Sequence, residues 1–146
     1  MKIVFVGLSN KINKMPFDIT TNSGKIVHEI ISRLKDDCYL MNLVDYAPLD
    51  ENLRLRYPTE QEIIDCTQKF KKKIKKINPD LIVSFGNITT NHLKKLNLKT
   101  KLLSFYHPSY IFTYKHQQVD TYIEEIVHTI QKEEKHGYHK KLLPLF

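Results

Sequence analysis

Four short apolar runs, separated by longer amphipathic segments, constrain this chain more than any other feature of its sequence. Each run has the length and composition of a buried strand, and the segments between them carry apolar residues at helical spacing. The runs are Lys2–Val6, Cys38–Val44, Leu81–Phe85 and Leu102–Tyr106. Strands that alternate with helices form parallel sheets whose two faces are both covered. The sequence therefore predicts an α/β fold, a three-layer α/β/α sandwich around a central, mostly parallel four-stranded sheet.

The amphipathic segments predict where the helices begin and end. Ser23 is a candidate N-cap for a first helix, and Thr59–Glu62 is a capping box that opens a long helix through Ile77. A short helix is expected at about Thr89–Leu96, and a last one at about Val119–Glu134. With 146 residues the chain is long enough for one hydrophobic core. We therefore expect a single domain.

The net charge and the number of cysteines indicate which partners and which kinds of site the chain can have. The chain has 23 Lys+Arg against 16 Asp+Glu, a formal net charge of +7, which favours a polyanionic partner. The lysine content of an AT-rich genome explains the same excess equally well. Two cysteines, Cys38 and Cys66, are too few for a disulfide framework or a Cys-only metal site. The start of the chain is too quickly interrupted for a signal peptide or a membrane span, so we expect a cytoplasmic protein without a membrane partner.

Small and polar residues stand where the four predicted strands end. Right-handed crossovers place the carboxyl ends of parallel strands at one edge, where open α/β sheets bind their ligands. The residues at these ends are Gly7, Asn42, Gly86–Asn87 and His107–Ser109. The imidazole of His107 can donate a hydrogen bond to an oxygen that gains negative charge, although a loop histidine without function fits the spacing as well.

The other candidate residues also allow two interpretations each. Gly86–Asn87 before a helix is typical of a phosphate-binding turn, but the absence of GxGxxG and GxxxxGK[ST] argues against P-loop chemistry. The amide of Asn42, inside an apolar strand, either ties neighbouring loops together or reads the edge of a base. The ring of Phe17 either stacks on a ligand or fills the space beneath its loop.

Five segments carry a resemblance to a known family through their order and spacing. They are Gly7–Asn10, Pro16–Phe17 with Ser23–Val27, Asn42–Leu49, Pro79–Asn87 and His107–Ser109. Together they resemble the uracil-DNA glycosylase superfamily, and most closely its compact branch that often carries an iron–sulfur cluster. The resemblance implies a glycosylase-like α/β domain over residues 1–135 and a basic, then apolar, C-terminal tail over residues 136–146. It also implies hydrolysis of the N-glycosidic bond of uracil, or of a related deaminated or modified base, in DNA.

The resemblance implies a role for several of these residues. His107 is similar to the family's motif histidine, which donates to the uracil carbonyl and stabilises the departing base. Asn42 resembles the amide that reads the pyrimidine edge, and Phe17 resembles the ring that stacks on the extruded base. The positions similar to phosphate-gripping turns are Gly86, Asn87 and Ser109. Because a base inside a duplex is unreachable, these roles require base flipping.

The first motif departs from the family pattern. Leu8 and Ser9 stand where relatives place an acidic residue, an asparagine or an alanine, and Asn10 replaces the usual proline. Ser9 and Asn10 can hold the attacking water by hydrogen bonds. A carboxylate can come from Asp18 or Asp45, of which we favour Asp18. The predicted catalytic residues are thus His107, Ser9, Asn10 and Asp18.

The cluster ligands of that branch are incomplete in this chain. Cys66 resembles one ligand position, but Tyr46 stands near another, and an N-terminal cysteine pair is absent. A cluster requires four thiolates. We therefore expect no metal and no cofactor. Because the motifs contain no obvious lysine nucleophile, we also expect a monofunctional enzyme.

Two further stretches concern the partners of the chain. The segment Tyr110–Lys115 resembles the family's wedge for duplex DNA, or else forms an aromatic patch over the last helix. Leu142–Phe146 resembles the peptide by which repair proteins dock on a sliding clamp, or else packs back on its own domain. We expect a monomer that binds single- or double-stranded DNA with a flipped base. Two alternatives remain: a glycosylase-fold protein that binds DNA without cutting it, and an enzyme acting on a small nucleotide.

Overall fold

The computed structural model describes residues 1–142, and side chains through residue 135. In this part of the chain each strand is followed by a helix, as the alternating pattern predicts. The elements are β1 (Lys2–Ser9), α1 (Asn22–Ser32), β2 (Asp37–Val44), α2 (Glu60–Ile77), β3 (Leu81–Phe85), α3 (Asn87–Lys95), β4 (Lys101–Phe105), α4 (Pro108–Tyr114) and α5 (Val119–Leu142), with one 3-10 turn at His116–Gln118.

The four strands form one parallel sheet in the order β2-β1-β3-β4. β1 lies between β2 and β3, and its Gly7 pairs with Asn42 of β2. β4 extends the sheet on the other side, where Ser84 of β3 pairs with Ser104. Because all neighbours are parallel, the carboxyl ends of the strands lie at one edge. The predicted α/β fold with a parallel four-stranded sheet is confirmed.

Apolar side chains cover both faces of this sheet. One face packs against α1, α4 and α5 through residues such as Ile30, Ile111 and Ile126. The other face packs against α2 and α3 through residues such as Phe70 and Leu93. Burial on both faces explains why the central strands are almost continuously apolar. The result is the predicted three-layer sandwich.

The N-cap observed for α2 is the one that the sequence predicts, whereas the N-cap observed for α1 is a different residue. The capping box of α2 is present: Thr59 accepts from the Glu62 N–H at 3.1 Å, and the Glu62 carboxylate accepts from the Thr59 N–H at 2.9 Å. The prediction that Ser23 caps α1 is wrong. Thr21 is the N-cap and accepts from the Gly24 N–H at 3.0 Å, whereas Ser23 is buried inside the first turn.

Two elements are longer than the sequence predicted. β1 continues past Gly7 to Ser9, because β1 and β2 remain paired up to Ser9 and Val44. α5 continues to Leu142, past its predicted end at Glu134. Of the segment Leu142–Phe146, residues 143–146 lie outside the described part of the chain. No helix within residues 1–142 combines the length and the apolar composition needed to cross a bilayer.

Gly86 joins β3 to α3 in a backbone conformation that is essentially restricted to glycine, with φ +89° and ψ 155°. Its N–H donates to the carbonyl of Phe105 at 2.9 Å, which holds the ends of β3 and β4 together. A Cβ at this position would lie 3.8 Å from the Cβ of His107, so there is room for a methyl group. The constraint on this residue is therefore conformational.

We expect Gly86→Ala to lower the free energy of unfolding by about 1–3 kcal/mol, because alanine would be held in a strained conformation. Chemical denaturation measures this loss. The control is Asn91→Ala, an exposed substitution on α3 that should change stability by less than about 0.5 kcal/mol. Equal stability of the two variants would show that Gly86 is not strained.

Candidate active site

A cavity of about 740 Å³ opens at the edge of the sheet where the strands end. Its volume lies within the range of about 300–1,000 Å³ that is usual for small-molecule pockets. Each strand contributes to its wall at or near its exit: Ser9 from β1, Asn42 from β2, Phe85 from β3 and His107 after β4. The parallel topology thus brings four distant segments to one cavity.

Most of the predicted site residues line this cavity. They are Ser9, Phe17, Asp18, Asn42, Gly86, Asn87, His107, Ser109 and Tyr110. Asn10 and Lys115 do not line it. Asn10 turns toward the loop after β2, and Lys115 lies exposed at the end of α4.

His107 is the N-cap of α4, and this position orients its ring. The Nδ1 atom accepts a hydrogen bond from the Ser109 backbone N–H at 3.1 Å, and the Ser109 hydroxyl lies 2.7 Å from the same atom. Because Nδ1 accepts, the proton of the neutral imidazole belongs on Nε2. The site therefore contains an imidazole whose remaining N–H can donate to a ligand.

The charge state of His107 follows from its surroundings. Burial in the cavity wall, with a smaller contribution from the positive charge of Lys11, lowers the pKa of His107 to about 4. The ring is therefore neutral at pH 7. A partly buried neutral donor can stabilise a developing anion without first having to bind a proton.

The amide of Asn42 is fixed by a chain of hydrogen bonds that runs away from the cavity. Its Nδ2 donates to Oδ1 of Asn10 at 2.7 Å, and Nδ2 of Asn10 donates to the carbonyl of Asp45 at 3.1 Å. Asn42 is only 8% exposed, and its Oδ1 accepts no hydrogen bond from the described side chains or backbone. Asn10 therefore positions Asn42, and the acceptor of Asn42 remains available to a ligand.

Phe17 and Asn42 approach each other over Gly7, which has no side chain to separate them. A Cβ at Gly7 would lie 2.5 Å from Oδ1 of Asn42 and 2.8 Å from Cζ of Phe17. The Phe17 ring is nearly parallel to the ring of His107, at 25° and 6.4 Å between centroids. Its backbone has φ +50°, and its carbonyl accepts from Nε2 of His28 at 3.1 Å. The aromatic ring, the amide and the imidazole thus form one contiguous wall.

The two candidate carboxylates lie in different environments. Asp18 lines the cavity, and its Oδ1 accepts from the side chain and the backbone N–H of Thr20 at 2.7 and 2.9 Å. These bonds lower the pKa of Asp18, which keeps the group ionised. Asp45 pairs instead with Lys69 on α2, which lowers the pKa of Asp45, and it does not line the cavity. Of the two carboxylates, only Asp18 lines the cavity.

One side of the cavity rim comes from a loop that carries no predicted site residue. Leu55, Arg56 and Tyr57 line the cavity, and they belong to the loop between β2 and α2. Arg56 pairs with Glu62 at 2.6 Å, and Tyr46 donates to the same carboxylate at 3.0 Å. The Arg56 guanidinium, more than any other group, lowers the pKa of Glu62 to about 2. Prolines marked this segment as a loop, but no local signal indicates that it folds over the cavity.

The cysteines do not fit the iron–sulfur cluster of the compact branch. Cys38 packs on the face of the sheet covered by α1 and α5, whereas Cys66 packs on the face covered by α2. Tyr46, which stands near another ligand position of that branch, donates its hydroxyl to Glu62. Two thiols on opposite faces of a sheet cannot hold one cluster, which needs four thiolates. Within the described residues no group of three or more His, Cys, Asp or Glu side chains is arranged to bind a metal.

Within the segment Tyr110–Lys115, residues Tyr110–Tyr114 form most of α4, and Lys115 is the C-cap of that helix. Ile111 is 6% exposed and belongs to the core, and Phe112 packs against that core. Ile111 is therefore not available to enter a duplex as part of a wedge, because its apolar side chain is buried in the protein. Tyr110 and Tyr114 remain exposed and line the cavity.

Comparison with known proteins gives three findings. A model of the uracil-DNA glycosylase superfamily matches residues 1–131. The type-4 uracil-DNA glycosylase of Saccharolobus solfataricus is 29% identical over 96 residues, which is 65% of this chain and 38% of that relative. The chain therefore matches well under half the length of this relative. The crystal structure of Pedobacter heparinus SMUG2 superposes with a TM-score of 0.69 at 13% identity, covering 92% of this chain and 76% of that one. This likeness extends the evidence for the fold.

We expect the burial of neutral His107 to make stability decrease as the pH falls. The pKa is about 4 in the folded protein, against 6.5 for an unperturbed histidine. Between these values the unfolded chain binds a proton that the folded chain does not, so this contribution is complete above pH 6.5 and is lost toward pH 4. Urea denaturation of the protein and of His107→Asn across this range measures the effect. Asparagine keeps an N-cap acceptor, so the variant should lose less stability on acidification, and equal losses would contradict the assignment.

Proposed function

Because this chain belongs to the uracil-DNA glycosylase superfamily, we propose that it is a monofunctional DNA glycosylase. It hydrolyses the N-glycosidic bond of uracil, or of a related deaminated or modified base, and leaves an abasic site in DNA. One observation carries this proposal. The neutral imidazole of His107 lines the same cavity as the amide of Asn42 and the ring of Phe17. These are the three groups needed to hold a flipped pyrimidine and to stabilise its departure.

The cavity wall matches the chemistry of a flipped base. Extruding a base costs a few kcal/mol, which stacking and edge contacts in the pocket must offset. Phe17 supplies an aromatic face. Oδ1 of Asn42 can accept from the N3–H of uracil, while the second hydrogen on its Nδ2 can donate to O4. Because Asn10 fixes the amide, these contacts need no reorganisation when the base enters.

His107 acts on the leaving group in this mechanism. As the glycosidic bond breaks, negative charge develops on the pyrimidine oxygens. The Nε2–H of the neutral ring donates to that oxygen, while Ser109 holds Nδ1 on the opposite side. A donor that is already oriented stabilises the anion more than solvent would, because no reorientation accompanies the reaction.

In the proposed mechanism, Ser9 and Asp18 bind the attacking water, because the first motif lacks the acidic residue that relatives place there. β1 ends on Ser9, which lines the cavity. Asp18 is ionised and lines the same cavity. Asn10 has its amide engaged on both sides, so we assign it to positioning Asn42 and not to binding water. Ser9 and Asp18 are therefore the proposed water-binding pair.

One observation favours a second candidate function, a glycosylase-fold protein that binds DNA without efficient cleavage. No carboxylate stands at the end of β1, where Leu8 and Ser9 occur. The carboxylate of Asp18 already accepts two hydrogen bonds from Thr20. Such a site would bind a flipped base but activate water poorly.

The two functions are separated by incubating the protein with uracil-containing oligonucleotides, single- and double-stranded, and then with alkali, which cleaves abasic sites. We expect strand scission. His107→Asn should lower the rate by about 100- to 1,000-fold, since a single preorganised donor is removed while the helix cap is kept. His92→Asn, on α3 and outside the cavity wall, is the control and should retain the rate. Unchanged activity in His107→Asn would refute the role of His107, and no scission at any deaminated base would favour the binding protein.

Asn42→Asp should change the choice of base. A carboxylate at this position accepts but does not donate, which suits the N4 amino group of cytosine better than O4 of uracil. It also faces Oδ1 of Asn10, so the supporting hydrogen bond is lost. We expect kcat/KM for uracil to fall about tenfold or more relative to that for cytosine. Asn91→Asp makes the same charge change at an exposed position that does not line the cavity, and it should leave the ratio unaltered. An unaltered ratio in Asn42→Asp would make Asn42 a purely structural residue.

A further inference from the structure

Three exposed tyrosines form a continuous row beside the cavity. Tyr106, Tyr110 and Tyr114, here called the tyrosine strip, are 67%, 42% and 73% exposed. The ring centroids are 5.4 Å apart at both steps, with tilts of 32° and 44°. Because the three residues follow each other at intervals of four, they lie on one side of α4 and its entry. Large exposed aromatic side chains in a row are unusual on a soluble surface and indicate an interaction site.

The backbone that carries the tyrosine strip is anchored to the core of the protein. The carbonyl of Tyr106 accepts from the hydroxyl of Tyr122, a residue of α5 that is 7% exposed. α4 is anchored from its inner side by Ile111, which is 6% exposed. The strip is thus the outer face of a helix whose inner face belongs to the core. Its rings are presented to solvent in a fixed row, and this leaves no apolar loop there to penetrate a duplex.

The strip is continuous with the cavity and lies in positive surroundings. Tyr110 and Tyr114 line the cavity that contains His107. Lys11 and Lys14 line it as well, and Lys115 directly follows the strip. These charges, within a chain of net charge +7, complement a phosphate backbone.

We propose that the tyrosine strip binds the nucleotides next to the flipped base by stacking, and that single-stranded DNA is therefore the preferred substrate. The presence of a flipped base in this inference rests on the proposed glycosylase function. The stacking of nucleotides on the strip does not. Unpaired bases expose their faces, and aromatic rings in a positive groove bind them with little dependence on sequence. Bases in a duplex are already stacked on each other, so their faces are not accessible to the tyrosine rings. The strip accordingly distinguishes the two forms of DNA.

Binding of undamaged oligonucleotides tests the strip without any need for base excision. The chain has 8 tyrosines and no tryptophan, so intrinsic fluorescence reports on tyrosine directly. We expect an undamaged oligothymidylate to quench this fluorescence and to bind about tenfold or more tightly than a duplex of equal length. Affinity should rise with length until about four nucleotides are bound, one for each ring and one for the cavity.

The double variant Tyr106→Ala/Tyr114→Ala should weaken binding to the single strand about tenfold or more, and weaken duplex binding far less. Phenylalanine at both positions keeps the stacking face and should restore affinity to within about twofold. Tyr39→Ala is the matched control, since Tyr39 is 37% exposed on β2, at the opposite edge of the sheet from β4. Far-ultraviolet circular dichroism checks that each variant is folded.

The outcomes separate this inference from the proposed function. Equal affinity for duplex and single strand, or a double alanine variant that binds like Tyr39→Ala, would overturn the strip even if uracil is excised. Tight, strip-dependent binding of single strands without any excision would support the strip and remove the glycosylase. A double phenylalanine variant as weak as the alanine variant would show that the hydroxyl groups, rather than stacking, hold the DNA, and would also overturn the inference.

Discussion

The approach of two side chains over Gly7 is the constraint on which the rest of the site depends. The parallel pairing of β1 with β2 sets Gly7 opposite Asn42, and the missing Cβ lets the amide of Asn42 and the ring of Phe17 meet. Any larger residue would collide with both side chains and displace them from the cavity wall. The arrangement of the amide and the aromatic ring in the cavity wall therefore depends on a position in β1 that carries no side chain. His107 then completes the wall from the opposite side, beyond β3.

His107 shows how one hydrogen bond serves both folding and chemistry. As the N-cap of α4, its Nδ1 satisfies a backbone donor that would otherwise lack a partner, a contribution of about 0.5–2 kcal/mol for an ordinary cap. The same bond fixes the tautomer, so that Nε2 carries the proton. Burial then excludes the charged form. A helix start thus selects the protonation state of the group that faces the cavity.

The sequence predicted those parts of the site that follow from local rules. Strand periodicity and the handedness of crossovers placed His107 at a strand exit, and the structure agrees. The bond between Asn10 and Asn42 could not be predicted, because it depends on how far two strands, separated by a whole helix, remain paired. The positive φ of Phe17 is set by the turn before α1 and has no glycine to mark it. Arg56 lines the cavity through a loop that is held by its ion pair with Glu62 and by a backbone hydrogen bond to Pro48, and the composition of the loop marks neither contact.

Glu62 couples the start of a helix to the shape of the cavity rim. Its carboxylate completes the capping box of α2 and also holds Arg56 and Tyr46, both in the loop before that helix. The loop and the helix therefore cannot vary independently. Substitutions that reshape the rim by replacing Glu62 would also remove the capping box of α2. Conversely, a substitution that alters this helix start would change the entrance of the cavity. A single acidic side chain thus sets a limit on how freely recognition can evolve in this chain.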